Sequence, residues 1–177
     1  MRTLALPLAC FGLLAGCAQD GHRGPRGLRP LANPSAVVAT ELAFDQAAQA
    51  KGQWTAFRQY AADNAVMFVP QPVAAKDWLK KQTDPQQAVQ WEPYAVWISC
   101  DGSLAVTKGE WHRPNGKVGY FTTAWRRQNK GTYKWELDQG DTLAEPLAKP
   151  EMIAAHVADC SAAPGIAISP PPAGIDQ

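Results

Sequence analysis

His112 is the residue best suited to proton chemistry in this chain, and Glu110 and Asp141 are the carboxylates that strand pairing would bring beside it. A histidine titrates near neutral pH, and a carboxylate can orient its ring. The pairing follows from three turn signals. With Asp101-Gly102 and Asn115-Gly116 as two-residue loops and Asn129-Lys130-Gly131 as a three-residue loop, register is set. Trp97 then faces Val106, Trp91 faces His112, His112 faces Gly119, Glu110 faces Phe121, Trp125 faces Trp135 and Phe121 faces Gln139. One face of the sheet gathers Trp97, Leu104, Val106, Trp125, Tyr133, Trp135 and Leu137 as core. Its other end gathers Trp91, Lys108, Glu110, His112, Phe121, Gln139 and Asp141, with room left by Gly119. Trp54 and Phe57, on a preceding helix, complete the candidate pocket. Polar groups at one end of an apolar face, beside aromatics, suit a small-molecule site. The same residues also fit strand ends dissolving into solvent, because His112 and Arg113 lie next to Pro114 at a hairpin tip. A single β-bulge would exchange part of this face for the other and bring in Asp138.

Other chemistries lack their residues. There is no HExxH pair, no phosphate-binding glycine loop and no trusted Ser/His/Asp order. Three histidines lie in three separate segments, so no metal and no cofactor are expected. The chain carries 17 Lys+Arg against 16 Asp+Glu over 177 residues. That balance, without a run of one sign, argues against a nucleic-acid partner, which needs a basic footprint.

The first residues say where the chain is sent. Met1-Arg2 carries one positive charge, and Leu4 to Ala15 is almost wholly apolar. This is the order of a secretory signal, too short to span a membrane. Leu14-Ala15-Gly16-Cys17 resembles the lipobox of bacterial lipoproteins. The resemblance implies cleavage before Cys17, acylation of Cys17, and a lipid-anchored protein of the bacterial cell envelope. Ala18 in place of an aspartate points to the outer membrane, facing the periplasm. Without lipidation the run would serve an ordinary secreted protein. Cys10 lies within the signal, which leaves Cys100 and Cys160. In an oxidising compartment they can form a disulfide, or stay as two buried thiols.

The elements that must position the site come next. Residues 1–16 read as the signal peptide and 17–32 as a Gly-, Pro- and Arg-rich tether. Asn33 and Pro34 open a helix, and Lys51-Gly52 closes it. Trp54, Phe57, Arg58 and Ala61 recur at helical spacing in a second. Ala65 to Val69 forms a short strand, and Lys76 to Lys81 a third helix. From residue 88 the period changes to two, giving strands near 89–100, 103–113, 117–127 and 132–142. This predicts an α+β domain over 33–145, with helices packed on a curved antiparallel meander. Residues 146–163 read as a C-terminal helical segment, with a helix over 151–160. Residues 164–177, rich in proline, read as a disordered tail.

From Val38 to Leu143 the chain resembles the nuclear-transport-factor-2-like superfamily, in its SnoaL-like branch. The residues that carry this are Gln53-Trp54-Thr55-Ala56-Phe57, Ala65-Val66-Met67-Phe68-Val69-Pro70, Leu104 to Trp111 and Trp135 to Asp141. The resemblance implies a cone in which helices cap a bent sheet around a pocket. It does not imply one activity, since the superfamily holds isomerases, dehydratases, cyclases and members that only bind. Three functions follow as expectations. The first is binding of a small apolar or amphipathic molecule. The second is an isomerase, dehydratase or hydrolase using His112 with Glu110 or Asp141. The third is pairing with a second copy through the sheet, where Trp111 and Tyr120 fall together on the face opposite the core. A C-terminal helix over Val96 and Ile98 would compete for that face.

Overall fold

The computed structural model describes residues 32–159. The expected signal, Cys17 and its tether, Cys160 and the expected tail lie outside these residues.

Helix α1 runs Pro34–Lys51. The Asn33 side chain accepts from the Ala36 N–H at 3.2 Å, and Gly52, at φ 106°, turns the chain out of the helix. Its buried stripe is Val37, Glu41, Phe44, Ala47 and Ala48. Helix α2, Gln53–Tyr60, starts at once and has no cap from its own Gly52. Asp84 supplies one from a distance, accepting from the Thr55 N–H at 3.0 Å and the Thr55 hydroxyl at 2.6 Å. A β-carbon at position 52 would sit 2.4 Å from that carboxyl, so glycine is required there for space as well as conformation.

Strands β1 (Ala61–Phe68) and β2 (Pro72–Ala74), then helix α3 (Ala75–Leu79), lead into β3 (Gln90–Ile98), β4 (Leu104–His112), β5 (Val118–Arg127) and β6 (Tyr133–Thr142). The last strand is β7 (Ala154–Val157). The seven lie in the order β2-β1-β6-β5-β4-β3-β7. The predicted α+β class holds, and β3 to β6 form the expected antiparallel meander. The sheet as a whole is mixed, because β1 pairs parallel with β6 and β7 parallel with β3.

The predicted helix over 151–160 is a correction. Residues 154–157 extend along β3, whose edge would otherwise leave its backbone groups unpaired. Tertiary pairing overrides a local helical pattern here. The segment before it crosses the outer side of the sheet. The Leu143 N–H reaches Val118 O, the Leu147 N–H reaches Glu110, and Lys149 reaches Glu92 at 2.8 Å.

The face assignment also changes, for three local reasons. Tyr94 is an extra residue between the pairs Pro93–Gly109 and Ala95–Lys108. Proline has no N–H for the ladder, so a bulge beside it is natural. Across it, parity flips: Trp91, Val96 and Ile98 are buried, while Trp97 is 43% exposed and Leu104 36%. Trp97 does pair with Val106, as expected, but both face outward, and Trp97 stacks on His156. Second, the β4–β5 turn holds three residues, Pro114 to Gly116, with Arg113 N bonded to Lys117 O and Gly116 at φ 81°. Glu110 therefore pairs with Tyr120, Trp111 with Gly119 and His112 with Val118. Third, Glu136 is an extra residue between Trp125–Trp135 and Ala124–Leu137. Each one-residue change moves every side chain beyond it to the other face.

Candidate functional site

Between the helices and the sheet lies a cavity of about 240 Å³. Phe44 from α1 and Trp54 and Phe57 from α2 form one wall. Trp91, Trp111 and Phe121 from the sheet form another, and Thr123 and Asp138 supply polar groups. The aromatic rings hold one another in place. Phe44 meets Phe57 and Trp91 edge-on at 4.8 and 4.7 Å, and Trp54 is braced on Trp78 at 5.1 Å. Such pairs add to area burial in fixing geometry.

Of the residues expected here, Trp54, Phe57, Trp91 and Phe121 line the cavity. Lys108, Glu110 and His112 do not. They stand on the outer side of the sheet, the side away from Trp91. His112 Nε2 lies 2.9 Å from Glu110 Oε1, so the predicted pair forms, but against the crossing segment and not around the cavity. Glu110 is 2% exposed because residues 143–150 pass over it, and it accepts from the Leu147 N–H. Gln139 and Asp141 border the cavity on the strand run that ends it, yet register sets them outward, opposite Thr122 and Tyr120. Asp141 stands apart from His112 in the pairing pattern. The space expected beside Gly119 is filled: a β-carbon there would meet the Trp111 ring at 2.1 Å. Trp111 faces inward over Gly119, so it and Tyr120 do not share a face.

Asp138 is the inward carboxylate, brought in by the bulge at Glu136. Thr123 Oγ1 donates to Asp138 Oδ2 at 2.8 Å. Loss of hydration pushes its pKa up to about 7, against the Thr123 bond and with added repulsion from Glu41. Asp138 is half-buried in the cavity wall.

Glu41 is the second inward carboxylate, and it was not among the expected site residues. It is fully buried behind Trp91. Trp91 Nε1 donates to Oε1 at 2.8 Å, while Thr107 Oγ1 and Trp125 Nε1 donate to Oε2 at 2.5 and 3.0 Å. Burial raises its pKa to about 7, and these three bonds lower it only in part. The signal was present in the spacing: Val37, Glu41, Phe44 and Ala48 are one apolar stripe with a carboxylate in it. Among the described residues no group of three or more His, Cys, Asp or Glu is placed to hold a metal. No helix among them is long and apolar enough to cross a membrane.

Helices capping one face of a strongly bent sheet, with a cavity between, make this the nuclear-transport-factor-2-like fold. A candidate ketosteroid isomerase from Parabacteroides distasonis superposes with a TM-score of 0.50 at 13% identity, covering 66% of this chain and 97% of that one. A nuclear-transport-factor-2-like protein of unknown function from Methylobacillus flagellatus gives 0.48 at 11% identity, over 62% of this chain and 91% of that one. Another from Shewanella baltica gives 0.46 at 12%, over 63% and 94%. No protein-family model matches the chain, and neither does any curated protein. The first of these likenesses bears on the fold alone.

Proposed function

We propose that this is a lipid-anchored protein of the bacterial cell envelope whose domain binds a small apolar or amphipathic molecule in the aromatic cavity. The observation that carries the binding reading is the cavity itself: about 240 Å³, walled by seven aromatic side chains, with the Asp138 carboxylate in its wall. The lipobox at Leu14 to Cys17 supports the anchor, in the outer membrane and facing the periplasm. Thermal-shift and native mass-spectrometric screening of the purified chain tests the first part. A ligand that raises the melting temperature in wild type, and fails when Phe121→Ala opens the wall, supports it. Absence of any binder across apolar and amphipathic libraries overturns it. For the anchor, Cys17→Ala should release the chain from membranes and abolish labelling by a palmitate analogue.

A second reading is proton transfer on a bound molecule, as in an isomerase. Asp138 favours it, because a cavity carboxyl with a pKa near 7 can take and return a proton near neutral pH. Asp138 replaces His112 and Glu110 in that role. Asp138→Asn would then abolish turnover while leaving the binding of an uncharged ligand within a few fold.

Two structural readings go with these. The β3–β7 ladder pairs Ile98 with Val157, two residues short of Cys100 and three short of position 160, which supports a Cys100–Cys160 disulfide. Peptide mapping without reductant tests it. The outward Trp97 and Leu104 support pairing with a second copy through the sheet, which light scattering tests.

A further inference from the structure

The polar and charged groups of the cavity are unevenly matched. Two carboxylates border it, Asp138 and Asp141, and a third, Glu41, lies behind Trp91. Among the described residues one cation lines it, Arg113, and its guanidinium lies 5.0 Å from the centre of the Trp111 ring. The site therefore already holds a positive charge against one of its aromatic walls. Among the described residues Asp138 has no cationic partner, and its one side-chain hydrogen bond comes from Thr123. An aromatic enclosure with a carboxylate in its wall is the arrangement that selects organic cations.

We propose that the cavity takes a small organic ammonium, its positive head among the rings of Trp54, Trp91 and Trp111 and its charge answered by Asp138. This rests on reading the cavity as a binding site and names the class of ligand. Ring quadrupoles attract a cation whose hydration has been stripped, whichever way it turns, and the carboxylate restores the charge balance lost on leaving water. A neutral molecule of the same shape gains the apolar contact alone. Arg113 at the edge acts as a competitor that withdraws when a better-placed cation enters.

The test compares choline with its uncharged carbon isostere, 3,3-dimethylbutan-1-ol, by calorimetric titration of the full-length chain. Choline is expected to bind at least tenfold more tightly. Asp138→Asn should weaken choline about tenfold and leave the alcohol unchanged, with melting temperature checked for each protein. Arg113→Gln should tighten choline severalfold, and this variant keeps the test open if Asp138→Asn does not fold. Equal affinity for the two probes overturns the ammonium assignment while the cavity stands as a binding site. Binding of neither probe, or of any screened molecule, overturns both.

Discussion

Trp91 Nε1 donates to Glu41 Oε1 at 2.8 Å, so a ring that lines the cavity is anchored by a carboxyl that never meets water. The same carboxyl accepts from Trp125 and Thr107, tying α1 to strands β3, β4 and β5 at one point. Replacing Glu41 with Leu leaves the Trp91 N–H without an acceptor and Thr107 with only a distant one. Each orphaned group costs about 1–3 kcal/mol. Glu41→Leu should therefore lose roughly 2–6 kcal/mol in urea unfolding. Glu41→Gln keeps an acceptor and should lose much less. A Leu variant as stable as wild type would show that the network contributes no stability.

The pH dependence of stability follows from the same group. Its folded pKa, about 7, lies above the ordinary value of 4.5. The folded state thus holds the proton more tightly than the unfolded chain does. Its contribution is fully present below pH 4.5 and fades as pH rises toward 7, by about 3 kcal/mol in all. Asp138 moves in the same direction. Unfolding free energies at pH 5 and pH 8 should differ in that sense, and Glu41→Gln should flatten the window. Asp84 works oppositely. Desolvation raises its pKa, but the Thr55 hydroxyl and backbone bonds and Arg58 outweigh that and hold it below 3.8, so its contribution is lost only in stronger acid.

Ligand affinity should carry its own pH signature. A cation prefers ionised Asp138, so choline affinity should climb as pH rises through about 7 and fall below it. Burial, the Thr123 hydroxyl on β5 and Glu41 from α1 set the balance of this carboxyl, while Asp141 and Arg113 are the other charged groups bordering the cavity. The neutral alcohol should show no such trend. Titrations at pH 6 and pH 8 decide it.

Glu110 fastens the segment that crosses the sheet. Glu110→Ala removes the acceptor of the Leu147 N–H and the partner of His112. A cost of about 1–3 kcal/mol is expected, felt locally. Hydrogen exchange should quicken over residues 143–157, and ligand binding in the cavity should not change. Lost binding with unchanged exchange would return Glu110 and His112 to the site.

The distal cap of α2 offers a cleaner measurement. Asp84→Ala removes the acceptor of the Thr55 N–H, with an expected loss of about 0.5–2 kcal/mol. Thermal denaturation should show it without altered cavity binding.

Local chemistry wrote the elements into the chain. Asn33-Pro34 opens α1, Gly52 closes it, and Gly102, Gly116 and Gly131 all take positive φ at the three hairpins where turn residues had marked them. The aromatic walls at Trp54, Phe57, Trp91 and Phe121 were equally legible, because large rings in a period-two pattern have few other places to go. What tertiary structure decided was phase. Tyr94, the third residue of the Pro114–Gly116 turn and Glu136 each shift a strand by one position, and a period of two turns every such shift into an exchange of faces. Those shifts carried His112 and Glu110 out and Asp138 in. Nothing in the alternation records them, since a period of two reads the same on either side of an inserted residue.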